Sequence, residues 1–198
     1  MTTKPRVHLV WAHPRENSLT SALVRKVNDS LVARGCDVDE LDLYRSRFDP
    51  VLHEPDEPDW DDPAKTYSSE VEALVERVQK SNIVVVVFPL WWYALPAVLK
   101  GYLDRVWNFG RLYGDNAGAK PSTVVWVALA GLSREALDKR GHVDALTRQL
   151  DDGVAGYCEI GDSRTIVLCD TIDAPDLVAY VNQVNQQLDE VVRDSIGQ

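Results

Sequence analysis

The sequence predicts an α/β fold: a three-layer, doubly wound, five-stranded parallel sheet in a single domain over residues 1–198. Two observations carry this expectation. Ile83–Phe88 (IVVVVF) and Thr123–Leu129 (TVVWVAL) are apolar, β-branched runs without polar alternation, the pattern of strands buried on both faces. Strand-like and helix-like stretches also alternate as β-α-β-loop-α-β-α-β-α-β-α, which wraps helices over both faces of one sheet. Such a sheet is compatible with strand order 2-1-3-4-5. With that order the switch point lies between the first and third strands, and ligands bind outside their carboxyl ends.

Arg6–Trp11 (RVHLVW) reads as the first strand, followed by the loop Ala12–Ser18. A helix is expected from about Leu19 to Arg34, with Ala22, Leu23, Val27 and Leu31 on one stripe, Asn17 or Ser18 as N-cap and Gly35 as stop signal. Asp37–Leu43 alternates apolar and acidic residues, as suits a strand near the sheet edge. Phe48–Tyr67 holds four prolines and the acids Glu54, Asp56, Glu57, Asp59, Asp61 and Asp62, and reads as a long, solvated acidic loop. Val71–Lys80 is a short amphipathic helix leading into the Ile83 strand. From Pro96 to Trp107 the residues Val98, Leu99, Tyr102, Leu103, Val106 and Trp107 recur at helical spacing, and Lys100, Asp104, Arg105 and Asn108 are assigned to the outer face. Thr123–Leu129 is the fourth strand, Arg134–Leu150 a helix or loop-helix, and Thr165–Cys169 the fifth strand. Pro175 opens a last helix carrying Leu177, Val181, Val184, Leu188 and Val191.

A formal charge of −10 argues against general binding to nucleic acid or to anionic membranes, both of which need basic surface. The apolar run from Ile83 to Tyr93 is too short to span a bilayer, so no membrane insertion is expected. The amino-terminal stretch runs from a polar lead into a strand with no apolar signal region, and Cys36, Cys158 and Cys169 are odd in number and widely spaced. Together these predict a cytoplasmic protein with reduced, structural cysteines and no metal site.

No G-x-G-x-x-G follows the first strand and no G-x-x-x-x-G-K-[ST] occurs, which excludes the dinucleotide fingerprint and the P-loop. The loop after the first strand carries His13, Arg15, Asn17, Ser18 and Thr20 into a helix N-terminus. Free backbone N–H groups, the helix dipole and small polar side chains there suit an anion such as a phosphate, the alternative being plain capping by Asn17 and Ser18. The loop after the third strand carries Trp91, Trp92 and Tyr93 between Pro89 and Pro96. Those aromatics suit a hydrophobic corner, a dimer contact or a flat ligand. Set beside a phosphate-ready loop at a switch point, they favour a flavin, with its phosphate at the first helix and its ring against the second loop.

The segments AHPRENSLTSALV, ELDLYRSRFDPVL, FPLWWYALPAVLKGYLDRVW and GRLYG resemble the NAD(P)H:quinone oxidoreductase (DT-diaphorase-like) family of flavodoxin-like flavoproteins, over most of the chain to about Leu150. The resemblance implies a flavodoxin-like fold and bound flavin, FAD or alternatively FMN, with NAD(P)H as co-substrate. It implies ping-pong transfer of hydride to a quinone or similar flat, small-molecule aromatic acceptor, in a homodimer. By the same resemblance His13 and the turn Asn17, Ser18, Leu19 and Thr20 contact the flavin phosphates. Pro89, Leu90, Trp91, Trp92 and Tyr93 hold the ring, and Tyr113 lies near the nicotinamide and quinone pocket. Where the family commonly has T-T-G-G followed by a tyrosine and a histidine, this chain has Ala128-Leu129-Ala130-Gly131, then Ala136 in place of the tyrosine, and His142. The backbone of Ala130 and Gly131 together with His142 is expected to stabilise charge on the flavin. The alternatives from other classes are a flavin-binding regulatory or ancillary subunit and a flavodoxin-like electron carrier.

Overall fold

A computed structural model of the chain describes residues 4–173 and 175–196. Its strands are β1 (Arg6–Trp11), β2 (Asp37–Asp42), β3 (Ile83–Pro89), β4 (Thr123–Leu129) and β5 (Asp162–Leu168). The helices are α1 (Leu19–Ala33), α2 (Ser69–Gln79), α3 (Ala97–Val106), α4 (Arg134–Asp138), α5 (His142–Thr147) and α6 (Leu177–Ile196). All strand pairs are parallel and the order is β2-β1-β3-β4-β5, so β1 and β3 are neighbours at the switch point.

The period of two along each strand divides the core between the two faces. Val84, Val86 and Phe88 of β3 join Val124, Trp126 and Ala128 of β4 under α2 and α3. Ile83, Val85 and Val87 face the other way, onto Leu23, Val27 and Leu31 of α1 and Val184, Leu188 and Val191 of α6. This two-sided burial is why the central strands read as unbroken apolar runs. The edge strand β2 is more polar, and its Asp39 receives both arms of Arg77 from α2, at 2.9 Å each. With the His8 ring hydrogen-bonded to it and Arg77 alongside, the Asp39 carboxyl is held far below the ordinary carboxylate range despite burial.

Two expectations need correction, and a third, the helix or loop-helix after β4, is resolved. Arg105 and Asn108 are not on an outer face: both are buried, because the long loop folds over α3. Asp56 of that loop is buried too, rather than solvated, and accepts from Arg105 Nη2 at 2.9 Å, Ser68 N–H at 2.7 Å and the Ser68 hydroxyl at 3.0 Å. Gly101 in α3 permits the fit, since a Cβ there would stand 2.2 Å from the Pro50 carbonyl oxygen. The segment after β4 is not one helix. It breaks after α4, where Gly141 takes a left-handed φ of 67°, and α5 runs on into a π-helical stretch, Arg148–Ala155.

Candidate functional site

Trp11 of β1 pairs with Val87 of β3, and the Ala12 N–H donates to the Val87 carbonyl at 3.2 Å, so the loops after these strands leave the sheet side by side. Arg45 braces the first loop. It donates to the Pro14 carbonyl at 3.1 Å and to the His13 carbonyl, is neutralised by Asp42 at 2.6 Å, and lies 5.3 Å from the centroid of the Trp11 ring. Within the loop the Arg15 N–H donates to His13 Nδ1 at 3.0 Å. The same Nδ1 lies 3.2 Å from the Arg15 carbonyl oxygen, so the Arg15 backbone offers this nitrogen both a donor and an acceptor. Burial lowers the pKa of His13, with the Arg15 and Arg45 charges acting the same way against a raising hydrogen bond to the Arg15 backbone. Nδ1 is thus held by the loop backbone, and Nε2 has no hydrogen-bond partner among the described residues.

Ser18 is the N-cap of α1. Its hydroxyl accepts from Ser21 N–H and the Ser21 hydroxyl accepts from Ser18 N–H, each at 3.1 Å, a reciprocal capping box. Asn17 is exposed and lines neither cavity of the cleft described below. The polar turn thus divides its work: Ser18 caps, while Leu19 and Thr20, at the first two helical positions, have N–H groups without an intrahelical acceptor.

The second loop is a tight turn. The Ala94 N–H donates to the Trp91 carbonyl at 3.0 Å, and the two residues between, Trp92 and Tyr93, have φ of 53° and 60°. Positive φ at both central positions is the type I′ geometry, which ordinarily selects Asn or Gly. Bulky aromatics held in that region are strained, and such strain clusters at functional sites. Trp92 is 94% exposed at the tip. The N–H groups of Trp92 and Tyr93 have no partner among the described residues. Leu90 N–H is taken by the Leu129 carbonyl at 2.8 Å.

Between the two loops lies a cleft formed by two adjoining cavities. One of about 250 Å³ is lined by His13, Arg15, Leu19, Thr20, Pro89, Trp91 and Thr171. The other, about 430 Å³, is lined by Trp92, Tyr93, Ala130, Leu132, Leu137 and Asp173. Leu90, Gly131 and Ile172 line both. Ile172 closes over Gly131, and a Cβ there would stand 2.5 Å from Ile172 Cδ1, so a side chain at this position would push the exposed Ile172 aside. The Ala130 N–H is committed to the Leu168 carbonyl at 2.8 Å, so it is not a free donor to a ligand. The wall made by Thr171–Asp173, after β5, was missed by sequence reasoning because it carries no recognisable motif.

His142 and Tyr113 stand elsewhere. His142 does not line the cleft; its ring stacks on Tyr93, with centroids 3.8 Å apart and planes 11° from parallel. Tyr113 lines a separate cavity of about 340 Å³ with Leu103, Trp107, Tyr157 and Cys158, beside Trp60. Burial, foremost, pushes its phenol up to about 12.

A family model described as flavodoxin-like fold matches residues 5–191. The chain belongs to the flavodoxin-like family. Curated relatives of this flavodoxin-like chain include an uncharacterised NAD(P)H oxidoreductase of Escherichia coli, 42% identical over 94% of this chain and 96% of that protein. A mouse ribosyldihydronicotinamide dehydrogenase [quinone] is 30% identical over 76% of this chain and 69% of the relative. Among solved structures, an NAD(P)H:quinone oxidoreductase from Methanothermobacter marburgensis superposes with a TM-score of 0.81, covering 98% and 96% of the two chains at 23% identity, a likeness of fold.

Proposed function

We propose that the protein is a flavin-dependent NAD(P)H oxidoreductase that reduces a quinone or similar flat acceptor. The observation that carries this is the continuous cleft at the carboxyl ends of β1 and β3, with donors for a phosphate at one end and an aromatic turn at the other. The donor set fits a flavin: His13 Nε2 and the first N–H groups of α1 suit its phosphate. The unpartnered N–H groups of Trp92 and Tyr93 suit the polar edge of its ring. FAD is the preferred form, with FMN the alternative. A flavin held there would supply the hydride-transfer chemistry that links NAD(P)H to the acceptor.

The chain's own contribution is to fix and surround that group. Arg45 anchors the His13 loop, the capping box fixes the angle of α1, and the type I′ turn holds Trp92 and Tyr93 at the mouth. Leu90, Trp91 and Ile172 line the middle of the cleft with apolar surface. The relatives' names support an enzyme, and the open 430 Å³ cavity beside Trp92 suits a second flat molecule, which a pure electron carrier does not need. Purified protein is expected to be yellow, to release FAD or FMN of the corresponding mass on denaturation, and to oxidise NAD(P)H faster when menadione is added. Colourless protein that takes up neither flavin overturns the proposal; yellow protein without NAD(P)H oxidation points to the carrier.

We also propose a homodimer. Trp60 and Tyr157, each 62% exposed, and Leu52 form an apolar surface around the Tyr113 cavity that a second copy would cover. Light scattering that gives the 22.2 kDa monomer mass at micromolar concentration rejects it. Among the described residues no helix is long and apolar enough to cross a membrane.

A further inference from the structure

Tyr93 and His142 come from different elements, the turn after β3 and the start of α5, yet lie face to face at 3.8 Å and 11°. Their environments differ. Tyr93 lines the cleft and is 40% exposed, and its hydroxyl has no hydrogen-bond partner among the described residues. His142 is in the layer behind; its Nε2 is buried and also without a partner. A buried, unpaired imidazole nitrogen is costly, so its retention here is not explained by hydrogen bonding within the fold. What the imidazole does supply is a flat face against the Tyr93 ring. That contact matters because Tyr93 sits at φ 60°, where the backbone alone would not keep it. No other hydroxyl-bearing aromatic lines this cavity, and Ala136 in α4 brings none.

We propose that the Tyr93 hydroxyl is the hydrogen-bond donor that selects acceptors with a carbonyl oxygen, and that His142 is its positioning residue, acting through the stacked ring rather than through a nitrogen. The inference rests on the oxidoreductase reading for its acceptor. The hydroxyl keeps its proton: NAD(P)H loses the hydride, the quinone gains it, and solvent supplies the proton that completes the hydroquinone. A single neutral hydrogen bond of this kind is equivalent to about a fivefold preference.

The test compares kcat/KM for menadione with kcat/KM for ferricyanide, which offers no carbonyl oxygen, in flavin-loaded protein. Tyr93→Phe is expected to lower the menadione-to-ferricyanide ratio about fivefold. His142→Leu is expected to lower it similarly, whereas His142→Phe, which keeps a flat ring, holds it near wild type. In NMR spectra the His142 ring protons should be shifted upfield of those of exposed His53 in wild type and in Tyr93→Phe, and should return toward His53 in Tyr93→Leu. An unchanged ratio in Tyr93→Phe overturns the donor assignment, and a His142→Phe variant as impaired as His142→Leu overturns the stacking role. Protein that binds no flavin at all defeats the oxidoreductase reading instead, a result the flavin spectrum separates from either of these.

Discussion

The Arg105 guanidinium donates to Asp56 Oδ2 at 2.9 Å with both side chains almost fully buried, joining α3 to the middle of the long proline-rich loop. The same nitrogen reaches Glu70 of α2 at 3.0 Å, and Asn108 donates to the Asp56 carbonyl at 2.7 Å. One charged cluster thus fastens the loop that carries Leu52, Pro58 and Trp60 to the helix that follows the aromatic turn.

Removing the Asp56 charge leaves the buried Arg105 with only the half-exposed Glu70 as counter-ion. Asp56→Asn is therefore expected to cost about 3 kcal/mol of stability, read as a drop in the urea midpoint. Burial alone would raise the Asp56 carboxyl, but the Ser68 and Arg105 hydrogen bonds prevail and hold it below the usual carboxylate range. A depressed carboxylate contributes stability above its unfolded value, near pH 4, and loses it as pH falls through the folded value. The acid limb of the stability profile should be shallower in Asp56→Asn than in wild type. An identical limb would show that Asp56 does not carry this pH dependence.

The layers of the fold were legible because β3 and β4 are buried on both faces and leave an unmistakable apolar signature. The pairing of β1 with β3 followed from topology, and with it the position of both loops. Arg105 was misread because helical spacing places a charge on a face but cannot say what folds over that face. Ser18 and His142 show the same limit at the site. Residue type marks a serine as cap or ligand contact, and a histidine as donor, whereas the reciprocal bond to Ser21 and the stack on Tyr93 depend on three-dimensional placement.

His13→Ala should weaken flavin binding by about 2 kcal/mol, roughly thirtyfold in Kd, since a hydrogen bond donated by Nε2 would meet a charged phosphate. Flavin fluorescence quenching measures this directly. Because the folded His13 pKa lies below its unfolded value of 6.5, the unfolded chain takes up a proton that the folded chain refuses as pH drops below that value. Wild type should lose stability there relative to His13→Ala. A flavin affinity unaltered by the substitution counts against the phosphate role.

Trp92 occupies a left-handed position at the tip of the type I′ turn, where glycine carries no steric penalty. Trp92→Gly is expected to raise stability by about 1 kcal/mol, visible as a higher Tm, while raising KM for menadione several-fold. Gain of stability with loss of binding would identify the strained aromatic as retained for ligand contact. A variant that is less stable than wild type would show that the Trp92 ring packs in a way its 94% exposure does not suggest.

Ser18→Ala separates capping from ligand contact at the start of α1. The substitution deletes the acceptor for Ser21 N–H and so should cost about 1 kcal/mol of stability. It leaves the N–H groups of Leu19 and Thr20, the donors assigned to the phosphate, in place. Flavin Kd is therefore expected to change by less than about threefold, far less than in His13→Ala. A loss of affinity as large as that of His13→Ala, at unchanged Tm, would instead make the Ser18 hydroxyl a direct phosphate contact and require the capping box to open when the cofactor binds.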